Sequence, residues 1–162
     1  MPAKRIALTG LLVAAALVLS YLEQLIPVFV AVPGVKLGLP NVVIVFALYR
    51  LGFKQAALIS LIRVFLVAFT FGNTFSLVYS LAGAVLSLAL MGILQRSERF
   101  SLTGVSVIGA VSHNLGQILV AIVLLETASL IYYLPVLLLT GTVAGVCIGL
   151  LAGVLCKRIP AL

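Results

Sequence analysis

Six long apolar stretches, separated by short polar or turn-forming segments, run along almost the whole chain. They cover residues 6–22, 37–49, 53–71, 75–94, 102–125 and 131–155. Most are long enough for the ~20 helical residues that cross about 30 Å of hydrocarbon. Because lipid offers the backbone no hydrogen-bond partners, each crossing should be a helix, and the period-two alternation of a membrane barrel is absent from the sequence. The pattern predicts an all-α bundle of six transmembrane helices that forms a single domain over residues 1–162.

Composition excludes a soluble protein. Hydrophobic residues make up 64% of the chain, charged residues 8%, and the mean hydropathy is +1.39. These values lie far outside those of soluble globular domains. The lipid bilayer is therefore the expected surrounding of this chain.

The basic residues fall at alternate ends of the predicted helices. Eight of the ten lie on one side, namely Lys4, Arg5, Arg50, Lys54, Arg96, Arg99, Lys157 and Arg158. The positive-inside rule makes this side cytoplasmic, so both termini are expected in the cytoplasm of a multi-pass protein of the cell membrane. The net charge of +7 then reflects insertion topology and anionic lipid headgroups, and nucleic acid is not an expected partner.

The second apolar stretch, 37–49, is too short to cross the hydrocarbon as a helix. The preceding stretch, 27–36, contains Pro27, Pro33 and Gly34 and is not expected to form a regular helix. Irregular backbone survives at membrane depth only when it is buried in protein or lines a cavity. We therefore expect a loop folded into the outer mouth of the bundle.

An anion site is predicted where this loop meets the second helix. Pro40 suits the first turn of a helix, and the positive end of that helix would point toward the cavity beside Asn41. Lys36 is the basic residue of the outer side, and together with the helix end it could hold an anion. The alternative is that Lys36 only extends to the outer interface.

Arg63 is the costliest residue of the sequence, since it lies near the middle of the third stretch. An arginine at that depth is disfavoured by at least ~2.5–3.5 kcal/mol, so it should face the interior and have a partner. The acidic candidates are Glu23 and Glu126, both nearer the outer surface. Pairing with carbonyls or amides of other helices and direct contact with a substrate are both open.

The fifth stretch carries a polar group that includes His113, Asn114 and Gln117. Such side chains either bond across helices and hold the bundle together or recognise a ligand at mid-depth. A single histidine without Cys, Asp or Glu at ligand spacing is a poor metal candidate, and neither a metal nor a cofactor is expected.

A second polar stripe follows the fourth stretch, where Ser76, Ser80, Gly83 and Ser87 recur at helical spacing with Tyr79 beside them. Small residues at this spacing allow two helices to approach closely. The main role expected for the stripe is helix packing, and lining a cavity is the secondary one.

Three segments carry a resemblance to a known family. They read SYLEQLIPVFVAVPGVKLGLPN (20–41), SLVYSLAGAVLSLALMG (76–92) and GVSVIGAVSHNLGQILVA (104–121). They resemble the Gx transporter family, also labelled heptaprenyl diphosphate synthase component I, which is similar in turn to the S components of energy-coupling factor (ECF) transporters. One departure is Pro40, where the family pattern has alanine.

The resemblance implies a membrane subunit that captures a small molecule from the outer face and works with a transmembrane coupling subunit and two ATPases. The expected substrate is anionic, partly apolar, and of the vitamin or cofactor-precursor class. S components carry an Ala-x-x-x-Ala contact surface on the first helix, and the nearest matches here are Gly10 with Ala14 and Ala16 with Ser20. The substrate-binding residues expected are Lys36, Asn41, Arg63, His113, Asn114, Gln117, Glu23 and Tyr79.

The other family label implies an accessory subunit of heptaprenyl diphosphate or quinone synthesis, and a partner in a flavin redox system is a third possibility. A prenyl diphosphate synthase binds magnesium diphosphate through aspartate-rich motifs, whereas this chain has no aspartate and three glutamates. It also contains no Walker A motif and could not hydrolyse ATP alone. The sequence therefore predicts a subunit that is not itself an enzyme.

Overall fold

A computed structural model describes residues 2–26 and 37–159 as a bundle of helices, without a strand in either range. The helices are α1 (Pro2–Leu25), α2 (Asn41–Arg50), α3 (Phe53–Phe71), α4 (Thr74–Arg96), α5 (Leu102–Leu124) and α6 (Leu134–Arg158), with a 3-10 helix (Ala128–Tyr133) ahead of α6. All of these helices except α2 and the 3-10 helix are long and apolar enough to cross a membrane. The predicted all-α fold of a polytopic membrane protein is confirmed.

The short helix α2 lies inside the bundle. It has ten residues, about 15 Å at 1.5 Å per residue, and residues 42–48 are all buried. It packs against α1, α3 and α6. A helix that is apolar on every face suits a wholly apolar environment, and the protein interior provides it for the unbroken run VVIVFAL. The helix begins at Asn41, and Pro40 (φ −64°) lies directly before it.

Helices α4, α5 and α6 form a tightly packed layer because glycines bring their backbones together. A Cβ atom added to Gly116 of α5 would lie 3.0 Å from the Cα atom of Gly83 on α4. On α6, a Cβ atom added to Gly145 would lie 2.6 Å from the Cα atom of Val107 on α5. Ser106 Oγ also donates to the Gly145 carbonyl over 2.8 Å. Close backbone approach is what stabilises helix pairs in lipid, where burial of apolar surface contributes little.

Successive helices alternate in direction, so one end of the bundle collects most of the charge. Lys4 and Arg5 lie in the first turn of α1, Lys54 in the first turn of α3, and Arg50 and Arg96 end α2 and α4. Lys157 and Arg158 end α6. We call this the basic end of the bundle and the other the cavity end.

Candidate functional site

A cavity of about 440 Å³ lies at the end of the bundle opposite the basic end, which is why we call it the cavity end. Its walls come from the last turns of α1, the turn before α2, the second half of α3, the first half of α4, and the facing parts of α5 and α6. This volume is within the range of about 300–1,000 Å³ that small-molecule sites have. The bundle therefore has room for a small molecule at the end opposite its basic residues.

Arg63 of α3 faces this cavity without a hydrogen-bond partner among the residues that the structure describes. Its Nε atom is buried and unpaired, and no hydrogen bond reaches the guanidinium from 2–26 or 37–159. Buried polar groups in proteins are nearly always hydrogen-bonded, and an arginine has five N–H donors to satisfy. The hydrogen-bonding capacity of the guanidinium is therefore not satisfied by the described part of the chain.

Glu23, at the end of α1, is the acidic residue whose charge acts on the Arg63 guanidinium. Its carboxylate acts electrostatically on Arg63, but its Oε1 atom accepts hydrogen bonds from the backbone N–H groups of Gly38 and, over 3.4 Å, Leu39. Of the two acidic partners that the sequence offered, the structure thus places Glu23 in the cavity with Arg63. Glu23 holds the turn before α2, and Arg63 has no direct partner among residues 2–26 and 37–159.

The turn before α2 corrects one expectation about the anion site. The first N–H groups of the helix, on Asn41, Val42 and Val43, donate to the carbonyls of Gly38, Leu39 and Pro40 over 2.8, 3.2 and 3.1 Å. They are therefore not free to bind an anion, because 3-10 turns already satisfy the helix end. The Asn41 side chain lines the cavity. Lys36 and the rest of the predicted mouth loop, 27–36, lie outside the described residues.

The polar group of α5 both lines the cavity and joins helices. Asn114 Nδ2 donates to the Leu137 carbonyl of α6 over 2.7 Å, whereas Gln117 Nε2 reaches Ser80 Oγ of α4 only at 3.5 Å. His113 packs against α4, where a Cβ atom added to Gly83 would lie 3.2 Å from its Cε1 atom. Asn114 therefore braces α5 against α6, and the Gln117 amide is held less firmly.

We expect Asn114→Leu to lower the stability of the protein by ~0.6–2 kcal/mol, because an interhelical hydrogen bond is lost inside the membrane. Gln117→Leu, the matched change one turn along the same face, should cost less because its hydrogen bond to Ser80 is long. Apparent melting temperatures of the purified variants in one detergent measure both effects. A larger loss for Gln117→Leu would contradict the bracing role of Asn114.

The structure brings together most of the residues that the sequence singled out. Six of the eight line the cavity, namely Glu23, Asn41, Arg63, His113, Asn114 and Gln117. Tyr79 is half-buried on α4 but does not lie on the described wall of the cavity. Their contact with a substrate stays a prediction.

The polar stripe of α4 has both of its expected roles, at different depths. Ser76 and Ser80 line the cavity. Gly83 and Ser87, deeper in the bundle, pack against α5. The stripe therefore changes from cavity wall to packing surface within two turns.

Sequence reasoning missed a rim of the cavity between α3 and α4. Asn73 lines it and caps α4: its Oδ1 accepts from the Ser76 N–H over 2.7 Å, and its own N–H donates to Ser76 Oγ over 3.0 Å. Asparagine three residues before a hydroxyl side chain, at the start of an apolar run, is a readable capping signal. Ser20 and Gln24, on the last two turns of α1, were missed as well.

These features define a polytopic helical membrane protein with a polar-lined cavity at the end opposite its basic residues. Residues 12–155 match the family described as heptaprenyl diphosphate synthase component I, and the chain belongs to this family. No curated protein and no solved structure matches the chain. The family resemblance that the sequence motifs indicated is confirmed, and the description "component I" is that of a membrane subunit.

Proposed function

We propose that this protein is the membrane-embedded substrate-binding S component of an ECF-type transporter in the prokaryotic cell membrane. It captures a small, anionic and partly apolar molecule, of the vitamin or cofactor-precursor class, from the outer face. One observation carries the proposal: the guanidinium of Arg63 faces a cavity without a hydrogen-bond partner in the described part of the chain. A charge kept at that depth is costly and is typical of a functional site.

The lining of the cavity suits a ligand with two kinds of surface. Along α3, the apolar side chains of Val64, Val67 and Phe71 flank Arg63. Helices α4 and α5 contribute hydroxyl and amide groups to the lining, such as those of Ser80 and Gln117. Small-molecule sites combine mostly apolar walls with a few placed polar groups, which supports binding of a partly apolar molecule.

Transport requires partners, because the sequence has no Walker A motif with which to hydrolyse ATP. A coupling subunit and two ATPases would supply the energy. Of the two pairs on α1 that resemble an Ala-x-x-x-Ala surface, Gly10 and Ala14 are exposed, whereas Ala16 and Ser20 are buried in the bundle. The Gly10–Ala14 pair is therefore the one that we propose docks on the coupling subunit.

We expect Gly10→Leu to abolish co-purification of the coupling subunit and its ATPases, because a large side chain prevents close helix approach at this surface. Gly153→Leu on α6 is the matched control. A Cβ atom added at either glycine would meet nothing within 4 Å, so both variants should fold. Affinity purification from the native membrane, followed by identification of the bound proteins, measures the result. Equal recovery of partners with both variants would contradict docking through Gly10.

The family description favours a second candidate, a non-catalytic membrane subunit associated with heptaprenyl diphosphate or quinone synthesis. The same purification discriminates the two. A coupling protein with ATPases would support the transporter, and a soluble prenyl synthase would support the accessory subunit. Recovery of a flavoprotein would instead place the chain in a redox system. Native mass spectrometry of the gently purified protein would identify a small molecule retained in the cavity.

A further inference from the structure

Resting on the proposed binding role, we infer that the ligand of the cavity presents a single carboxylate to Arg63, and that the cavity rejects diphosphates. The distinction between a carboxylate and a diphosphate matters because the family description names a diphosphate synthase. Arg63, Glu23 and the turn that Glu23 holds determine how much charge the cavity can accept.

The charges on the described wall of the cavity balance one another. Arg63 contributes one positive charge and Glu23 one negative charge, and the remaining described lining residues apart from His113 are not ionisable near neutral pH. A carboxylate leaves the described wall with an excess of one negative charge, which lies directly beside the guanidinium of Arg63. A diphosphate would bring several negative charges into a site of low dielectric constant, where an uncompensated charge is strongly disfavoured.

The chemistry of Arg63 suits a carboxylate. Its Nε atom is enclosed and unpaired, which leaves the two terminal nitrogens as the part that a ligand can reach. A guanidinium binds the two oxygens of a carboxylate through parallel N–H groups in a planar fork. One such ligand group would give the two terminal nitrogens the hydrogen-bond partners that the described residues do not provide.

Glu23 is the group that limits the charge of the ligand. Its Oε1 atom is held by the N–H groups of Gly38 and Leu39, so the carboxylate is fixed at the wall of the cavity. Gly38 has φ +74°, a conformation that favours glycine. The turn that holds Glu23 therefore requires glycine at this position. A fixed carboxylate repels further negative charge. As a magnesium site it is incomplete, because two backbone N–H groups occupy Oε1 and the described wall has no second carboxylate, whereas Mg²⁺ at phosphate sites is held through one or two carboxylates.

The volume sets the size of the ligand. About 440 Å³ equals the space of roughly fifteen water molecules at ~30 Å³ each. Val64 and Val67 of α3 and Ala144 and Ile148 of α6 make part of the lining apolar. The ligand class is thus a compact organic carboxylate with an apolar body.

The test compares matched probes on the intact protein in detergent, by thermal shift and calorimetry. 3-Phenylpropionate is the carboxylate probe, 3-phenylpropionamide is its neutral counterpart, and isopentenyl diphosphate with Mg²⁺ is the diphosphate probe, all at millimolar concentration. We expect stabilisation by 3-phenylpropionate alone. In Arg63→Met, the apparent affinity for this probe should fall at least tenfold.

Glu23→Gln isolates the charge of Glu23, because the amide oxygen of glutamine can still accept from Gly38 and Leu39. This variant should bind 3-phenylpropionate severalfold more tightly and should gain measurable stabilisation by isopentenyl diphosphate. The inference is overturned if the wild-type protein is stabilised by isopentenyl diphosphate as strongly as by the carboxylate. Equal effects of acid and amide, or no effect of any probe, would overturn it too.

The probe-binding test and the co-purification test can fail independently of each other. Co-purified ATPases together with binding of the diphosphate would overturn the carboxylate inference and leave the transporter standing. Carboxylate binding by a protein that recovers a prenyl synthase would do the opposite.

Discussion

Arg63→Met is expected to raise the stability of the empty protein and to remove its ability to retain a ligand. Methionine has a similar length and no charge, and removing an arginine near mid-membrane relieves a cost of ~2.5–3.5 kcal/mol on insertion scales. Part of that gain is offset, because Glu23 loses the opposite charge that acts on it. For a chain of this size ~1 kcal/mol corresponds to about 2–4 °C, so the apparent melting temperature should rise by several degrees.

Ligand retention should change in the opposite direction. Truncating one partner of a buried, hydrogen-bonded charge pair costs ~2–5 kcal/mol, which is a loss of about 30-fold or more in affinity. Native mass spectrometry of wild type and variant, prepared side by side, measures the fraction of protein that carries a bound small molecule. A rise in stability together with a loss of ligand is what separates a binding residue from a brace.

Arg99→Met provides the control for this prediction. Arg99 is exposed in the connection between α4 and α5, at the basic end of the bundle. Its replacement should change neither melting temperature nor ligand content by a measurable amount. If Arg63→Met lowered the melting temperature instead, Arg63 would be a structural brace, and the anion-binding role proposed for it would be wrong.

Gly145→Ala is expected to destabilise the bundle by ~1–3 kcal/mol. The added Cβ atom would lie 2.6 Å from the Cα atom of Val107 and 3.2 Å from the Cβ atom of Ala110, both on α5. Backbone cannot rotate away as a long side chain can, so α5 and α6 must separate. Overpacking in well-packed interiors typically costs ~1–3 kcal/mol, and separation of the helices also strains the hydrogen bond from Ser106 to Gly145.

Gly153→Ala, two turns further along α6, is the matched control. A Cβ atom added there meets nothing within 4 Å, and alanine favours a helix over glycine by up to ~1 kcal/mol. This variant should therefore be as stable as the wild type or slightly more so. Thermal unfolding followed by the loss of monodisperse protein on size-exclusion chromatography compares the two. Similar losses for both variants would mean that the contact of Gly145 with α5 does not hold the layer together.

The elements of this fold could be predicted because they depend on neighbours along the chain. The helix α3 runs over Phe53–Phe71 as the apolar stretch 53–71 predicted, since both are set by the partition of consecutive side chains between lipid and water. The short α2 could be predicted on the same grounds. Its burial inside the bundle is a finding of the structure, because the length of a stretch does not show what surrounds it.

The cavity residues could be predicted only as separate anomalies. Arg63 and His113 were conspicuous because polar groups are costly in lipid, a property that each residue carries alone. Whether Arg63 pairs with Glu23 or with Glu126 depends on which helices are neighbours. The sequence offered both, and the structure places Glu23 in the cavity.

The role of the turn before α2 depended on a contact that the sequence does not encode locally. Proline ahead of a helix suggested a free, positively polarised helix end, yet the N–H groups of Asn41 and Val42 are satisfied by the turn. Glu23, fifteen residues earlier than Gly38, is what holds that turn. A contact across such a separation follows from packing and has no local signal.

The sequence by itself determined that this is a helical membrane protein, where its helices lie, which side carries the positive charge, and the family to which it belongs. These properties follow from the preference of each segment for lipid or water. Only the tertiary structure decided that α1, α3, α4 and α5 place Glu23, Arg63, Ser80 and Gln117 around one cavity and leave the guanidinium without a direct partner among the described residues. The physical reason is that a binding site is made by side chains from several helices, and the backbone contacts at glycines such as Gly116 and Gly145 set how those helices meet.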